Sequence, residues 1–82
     1  MLKAVAVKIE EIYIPADRRK EFDQEKIDQI AERIMDDADV LPIQVRQGKG
    51  RYVLVKGMNR LEARKALGDV TVQAFIVGAR QF

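Results

Sequence analysis

The stretch with the clearest chemical potential runs from Tyr52 to Ala63, with the sequence YVLVKGMNRLEA. Its apolar first half predicts a β-strand, Gly57 predicts a tight turn, and the residues after the glycine predict a helix. A helix that begins directly after a strand points its unpaired N–H groups and the positive end of its dipole outward, and this arrangement binds phosphate. Arg60, in the first turn of that helix, is able to form a forked contact with a phosphate group.

The candidate phosphate- or nucleotide-binding residues are those of this turn together with basic residues that raise the positive potential around it. The spacing also has a purely structural interpretation, because Asn59 with Glu62 three residues later fits a capping box. In that case the Asn59 side chain would occupy the N–H groups that a phosphate needs, so spacing alone leaves both interpretations open. The candidate residues are Gly57, Asn59, Arg60, Arg46, Lys56 and Arg64.

The composition narrows the chemistry that these residues can support. The chain of 82 residues has no histidine and no cysteine, which excludes a cysteine nucleophile, a thiolate metal site and histidine-based nuclease centres. Any catalysis would depend on Asp, Glu, Lys, Arg or Tyr, with Mg²⁺ as a candidate metal ion. Asp36, Asp37 and Asp39 are oxygen ligands of a suitable type, but clustered acids after a helix are usually solvated. We therefore predict no metal site built from protein side chains.

Charge is distributed unevenly along the chain. Residues 1–41 contain seven basic and eleven acidic residues, whereas residues 42–82 contain eight basic and two acidic residues. This asymmetry indicates that one part of the fold faces a polyanion, although ordinary solvated faces explain it equally well. No apolar run approaches the ~20 residues that span a membrane, and the first apolar stretch is too short for a signal peptide. We therefore expect a cytoplasmic protein that contacts no membrane.

Length and hydrophobic periodicity predict one α+β domain over residues 1–82, with a small mixed sheet and two main helices in a β-α-β-β-α-β order. Asp23 is placed to cap the first helix. The predicted elements are a strand at 4–9, a solvated charged loop at 12–21, a helix from 24 to about 36, strands at 43–46 and 51–56, a helix from about 59 to 67, and a strand at 70–77. The residues expected to contribute to the core are Ile43, Val45, Val53, Val55, Val72 and Phe75.

Four segments resemble, in the same order, segments of the ParB N-terminal domain, a family with the ParB/sulfiredoxin fold. RKEFD at residues 19–23 and YVLVKGMNRLEA at residues 52–63 are similar to the family's RKEFD and YELIAGERRWRA. LPIQVR at residues 41–46 is similar to QPIVVR, and ALGDVTVQA at residues 66–74 is similar to LAGLKTVPA. The resemblance covers residues 9–77 and implies the small mixed-sheet fold of that family.

The resemblance also implies a ligand. ParB N-terminal domains bind cytidine triphosphate, whose phosphates are held by their GERR turn, and the related Gly-Cys-His-Arg turn of sulfiredoxins binds adenosine triphosphate. The turn here is Gly57-Met58-Asn59-Arg60, so the resemblance implies CTP or ATP, with Mg²⁺, as the cofactor. Met58 stands where ParB has a glutamate and sulfiredoxin a cysteine, and Glu62 reverses the charge of a ParB arginine. These departures exclude sulfiredoxin activity and predict little or no triphosphate hydrolysis.

Three functions are consistent with these observations. The first is a ParB-like module that binds a nucleotide or phosphate and works beside DNA, bound weakly and without sequence preference, or beside a DNA-binding partner protein. The second is an enzyme, a metal-assisted nuclease or nucleotide hydrolase. The third is a non-catalytic protein-interaction domain that kept the fold and lost the ligand. The missing histidine, Met58 and Glu62 favour the first and the third over the second.

Overall fold

The computed structural model describes residues 3–78 and confirms the predicted α+β fold with a mixed sheet. A 3₁₀ turn at Ile9–Glu11 joins the first two strands. The strands are β1 (Val5–Lys8), β2 (Ile12–Tyr13), β3 (Ile43–Gln47), β4 (Tyr52–Lys56) and β5 (Thr71–Val77), and the helices are α1 (Ala16–Arg19), α2 (Gln24–Met35) and α3 (Met58–Ala66).

The five strands lie in the order β1-β5-β3-β4-β2. The β3–β4 hairpin and the β1–β5 pair are antiparallel, whereas β3–β5 and β2–β4 are parallel. Parallel pairs need long connections, and the helices are part of them, with α2 between β2 and β3 in the chain and α3 between β4 and β5. Because Lys56 pairs with Gln44, the end of β4 and the start of α3 lie beside the start of β3.

The two faces of the sheet have different surroundings. One face holds the hydrophobic core beneath α3, and α2 packs against α3 in turn. Side chains that alternate along the strands with the core residues point to the opposite side, which we call the outer face and define by Lys8, Gln44, Arg46, Gln73 and Phe75. The core residues are Val7, Ile43, Val45, Leu54, Met58, Leu61, Val72 and Ala74.

Two of the predicted core positions are wrong. Phe75 is only half-buried because it pairs with Gln44 on the outer face. Val55 is also half-buried, and it is an extra residue in β4, since Leu54 pairs with Val45 while Lys56 pairs with Gln44. Ile43, Val45 and Val72 are buried in the core as expected, and Val53 is also buried, although its pairing with Arg46 places it on the outer face.

The charged segment predicted as a solvated loop is partly ordered secondary structure. It contains β2, which adds a parallel edge strand next to β4, and the single turn of α1. The Arg18 side chain ties α1 to the sheet by donating from Nη1 to the Val55 carbonyl at 3.3 Å. Of the helices in residues 3–78, none combines the length and the apolar character that crossing a membrane requires.

Candidate phosphate-binding site

The turn between β4 and α3 depends on a glycine. Gly57 has a φ of 110°, and a Cβ added to it would lie 2.8 Å from Ile43 Cγ2. Both the backbone conformation and the close approach to β3 therefore exclude a side chain. Helix α3 starts at the next residue, and its first backbone hydrogen bond runs from the Leu61 N–H to the Gly57 carbonyl at 2.9 Å.

The first N–H groups of α3 are consequently without an intrahelical partner. They belong to Met58, Asn59 and Arg60, and within residues 3–78 no side chain caps this helix. Unpaired N–H groups at the positive end of a helix dipole attract an anion. The turn thus has the local geometry that the sequence pattern predicted for phosphate binding.

The capping-box interpretation of Asn59 is wrong. Asn59 lies inside the first turn of α3, with Gly57 as the capping residue, and Glu62 forms an ion pair with Lys65 at 3.2 Å. The Asn59 amide reaches the segment before α2 instead. Its Oδ1 accepts from the Asp23 N–H at 2.9 Å and its Nδ2 donates to the Glu21 carbonyl at 3.1 Å.

Through Asn59, the amino terminus of α3 is fixed beside the amino terminus of α2. The α2 terminus is closed by the predicted cap, because the Asp23 carboxylate accepts from the N–H groups of Glu25 and Lys26 at 3.1 and 3.3 Å. The carboxylate satisfies those donors, and because Asn59 accepts from the Asp23 backbone N–H, we expect this negative charge to lie near the start of α3. A phosphate at the turn would therefore meet the open terminus of α3 and the neutralised terminus of α2.

Arg60 lies beside the turn, but its contacts are with the backbone before β3. Its Nη1 donates to the carbonyls of Pro42 at 2.8 Å and of Leu41 at 3.2 Å. Partial burial removes water from the guanidinium and lowers the pKa of Arg60 below its ordinary value. The side chain also borders a cavity of about 270 Å³ that is shared with Arg64 and Pro42.

The basic residues predicted to support the site lie at different distances from it. Lys56 is exposed and directly precedes Gly57. Arg64 lies one turn further along α3 and pairs with Asp69 at 3.3 Å. Arg46 pairs with Val53, four residues before Gly57, so it lies about 13 Å along the sheet from the turn, on the outer face. The fold therefore brings Gly57, Asn59, Arg60 and Lys56 together, places Arg64 nearby, and leaves Arg46 at the opposite end of the hairpin.

Arg18 and Asp23, which the sequence pattern did not indicate as site residues, also lie in this neighbourhood. Arg18 reaches the end of β4 and forms an ion pair with Glu21 at 2.9 Å, and Asp23 is held by Asn59. The contacts from Arg18 to Val55 and from Asn59 to Asp23 have no local signal in the sequence, because they join residues 37 and 36 positions apart. Met58, the residue between the glycine and Asn59, is buried in the core with 5% of its surface exposed, which explains why an apolar side chain stands there.

Comparison with known proteins identifies the family. The model of the ParB N-terminal domain matches residues 2–81. The probable chromosome-partitioning protein ParB of Campylobacter jejuni is 40% identical over 62 residues, which are 76% of this chain and 22% of that protein. The chain thus spans about a fifth of the length of this relative.

Solved structures agree with the fold. Sulfiredoxin from Arabidopsis thaliana superposes with a TM-score of 0.81 at 28% identity, over 94% of this chain and 86% of that one. The C-terminally truncated ParB of Caulobacter crescentus, in complex with CTP-γ-S, has a TM-score of 0.77 at 24% identity, over 96% of this chain and 46% of that one. On the match of the family model to nearly its whole length, this chain belongs to the ParB N-terminal domain family.

Proposed function

We propose that this domain binds a nucleoside triphosphate, CTP or ATP with Mg²⁺, through its phosphates at the amino terminus of α3, and works beside DNA or a DNA-bound partner. The observation that carries the proposal is the uncapped start of α3 directly after Gly57, in a chain of the ParB N-terminal domain family. The N–H groups of Met58, Asn59 and Arg60 are the donors that would face the phosphates. The C. crescentus ParB structure contains a CTP analogue, which supports a nucleotide as the ligand.

Arg60 has a double role in this proposal. Two N–H groups on its Nη1 account for the bonds to Leu41 and Pro42, and a guanidinium has three further donors on Nε and Nη2. Within residues 3–78 the charge has no carboxylate partner at salt-bridge distance. A bound anion would stabilise this partly buried guanidinium, which lacks a carboxylate partner, because the ion pair offsets part of the cost of removing water from the charge.

Calorimetric titration of the wild type with CTP and with ATP, each with Mg²⁺, tests the proposal. We expect a saturable heat with at least one nucleotide, and a loss of affinity of roughly tenfold or more in Arg60→Ala, since a hydrogen bond to a charged group contributes about 1.5–3 kcal/mol. Arg51→Ala is the matched control, because Arg51 lies at the far end of the hairpin, and its affinity should equal that of the wild type. No heat at millimolar nucleotide would contradict the proposal.

We expect little or no hydrolysis of the bound nucleotide. Met58 is buried in the core, and the chain has neither histidine nor cysteine to act as a base or nucleophile. A turnover assay with Mg²⁺ and each nucleotide measures this directly. Robust hydrolysis that disappears in Arg60→Ala would favour the alternative of a nucleotide hydrolase.

A non-catalytic interaction domain is the second candidate, and a specific observation favours it. The Asn59 amide and the Arg60 Nη1 make internal hydrogen bonds, and the backbone N–H that Asn59 accepts from belongs to an acidic residue, Asp23. These contacts stabilise the fold without any ligand. Absence of nucleotide binding together with full stability of the wild type is the result that this second candidate predicts.

A further inference from the structure

The charged residues on the strands of the sheet are all basic. The five strands contain no acidic residue, whereas Lys8, Arg46 and Lys56 lie on them. The acids of residues 3–78 lie on the helices, among them Glu25, Asp28 and Glu32 of α2, and on the connecting segments. The strands of the sheet therefore contribute only positive charge, whereas the helices and connecting segments contain charges of both signs.

The pairing of the strands brings these cations to the outer face. Arg46 is exposed and follows the buried Val45, while Lys8 is exposed and follows the buried Val7. Lys56 is exposed and pairs with Gln44, which lies between Val45 and Ile43 and points away from the core. All three positive charges consequently face the same side of the sheet.

Arg51 adds a fourth cation near the tip of the hairpin. Its guanidinium carbon lies 4.0 Å from the centroid of the Tyr13 ring. Tyr13 pairs with Val53, which in turn pairs with Arg46, so the ring and the stacked guanidinium lie on the outer face. Stacking on an aromatic ring holds the guanidinium in place and leaves its edge donors able to bind phosphate.

We infer that the outer face of the sheet binds the phosphate backbone of duplex DNA without reading its sequence. Four cations on a face whose strands contain no acid are complementary to a polyanion. Five strands about 4.8 Å apart span about 19 Å, which exceeds the ~12 Å width of the major groove, so the face lies across the backbone and cannot enter the groove. The inference rests on the DNA-associated part of the proposed function. Lys56, next to Gly57, borders both surfaces, whereas Arg46 and Arg51 lie toward the opposite end of the hairpin from the nucleotide site.

The composition of the face favours duplex DNA over the other polyanions. Proteins that bind single strands stack the bases on free aromatic rings, whereas here Arg51 covers Tyr13 and Phe75 is half-buried. Protein partners dock on a centre that is depleted of charged residues, whereas Arg46 lies on β3, the middle strand of the sheet. A backbone contact made by a few exposed cations predicts weak binding that depends strongly on salt.

Fluorescence anisotropy with a labelled duplex of arbitrary sequence, measured over a range of salt concentrations, tests the inference. Four phosphate contacts predict a slope of log K against log salt of about −3 to −4. Lys8→Glu/Arg46→Glu should lose roughly tenfold or more in affinity at low salt and make the slope shallower by about 2. The matched control is Lys20→Glu/Lys26→Glu, which has the same net charge but alters exposed residues outside the sheet, and it should lose less than about threefold.

Circular dichroism confirms that each variant is folded before its affinity is compared. The inference is supported if the outer-face variant loses affinity selectively, and if the duplex binds more tightly than a single strand of the same length. Equal losses in the two variants, tighter binding of the single strand, or equal competition by a poly-glutamate peptide would each overturn it. Absence of any binding at low salt would also overturn it, while leaving the nucleotide titration unaffected.

Discussion

Helices α2 and α3 begin within hydrogen-bonding distance of one another, yet their amino termini are built differently. At α2, the Asp23 carboxylate accepts from two N–H groups and neutralises the positive end of the dipole. At α3, Gly57 provides a left-handed turn and no side chain, so within the described residues the donors lack a cap. Asn59 belongs to α3, but its side chain donates and accepts hydrogen bonds in the segment before α2.

The difference shows that the amino terminus of a helix can either stabilise its own helix or bind a ligand. A capped terminus stabilises its helix without help, whereas an uncapped terminus keeps donors for a ligand at the cost of stability. Asn59 links the start of α3 to the segment before α2. We therefore expect the Asp23 carboxylate, which caps α2, to lie near the proposed anion site at α3. This carboxylate is expected to weaken anion binding, and substitutions at each terminus separate its effect from that of the open donors.

The largest effect is expected at the open terminus from Gly57→Ala. The new Cβ would lie 2.8 Å from Ile43 and would be held at a positive φ, so the free energy of unfolding should fall by about 3 kcal/mol. Gly68→Ala is the matched control, because Gly68 has a φ of 85° but no atom within 4 Å of an added Cβ, and it should cost only about 1 kcal/mol. Urea denaturation measures both, and equal losses would show that the close approach to β3 has no energetic role.

An intermediate effect is expected from breaking the connection between the termini. Asn59→Ala removes two hydrogen bonds that link α3 to the start of α2, and should reduce the free energy of unfolding by about 1–2 kcal/mol. Gln29→Ala, at an exposed amide on α2, is the control and should change stability by less than about 0.5 kcal/mol. If the two variants unfold at the same urea concentration, Asn59 does not hold the two helices together.

The smallest effect is expected from Asp23→Asn, which keeps a good capping side chain and removes its charge. Stability should fall by no more than about 0.5 kcal/mol, because the helix dipole loses a favourable carboxylate. Nucleotide affinity at α3 should rise by about two- to fivefold, since repulsion between the carboxylate and the phosphates is removed. Calorimetric titration measures the change, and unchanged or weaker affinity would mean that the phosphates bind elsewhere.

Much of the fold could be predicted because it is encoded locally. The alternation through Ile43 and Val45, the helical spacing of Ile27 and Ile30, and the capping acid Asp23 all appear within short windows of sequence. Strand β2 and helix α1 could not be predicted in this way. Two residues of β2 are ordered by pairing with β4, and α1 is held by Arg18 on the same strand, so both depend on tertiary contacts.

The candidate site was predicted in part, and the failures have physical causes. Gly57 and the start of α3 follow from a strand, a glycine and a helical pattern in succession. The contacts of Asn59 do not follow from the sequence. Its amide bonds to the Glu21 carbonyl and the Asp23 N–H in place of a local cap, and only the fold brings these groups within reach. Arg46 is near Gly57 in the sequence, but the hairpin places it at the opposite end of the strand pair.

Amide chemical-shift mapping by NMR during titration with CTP or ATP and Mg²⁺ tests the central claim most directly, because it reports on both helix termini in one experiment. We expect the N–H groups of Met58, Asn59 and Arg60 to shift most and to saturate together, while those of Glu25 and Lys26, already bonded to Asp23, shift little. Equal shifts at both termini, or no shift at the start of α3 at millimolar nucleotide, would contradict the assignment of this turn as the phosphate site.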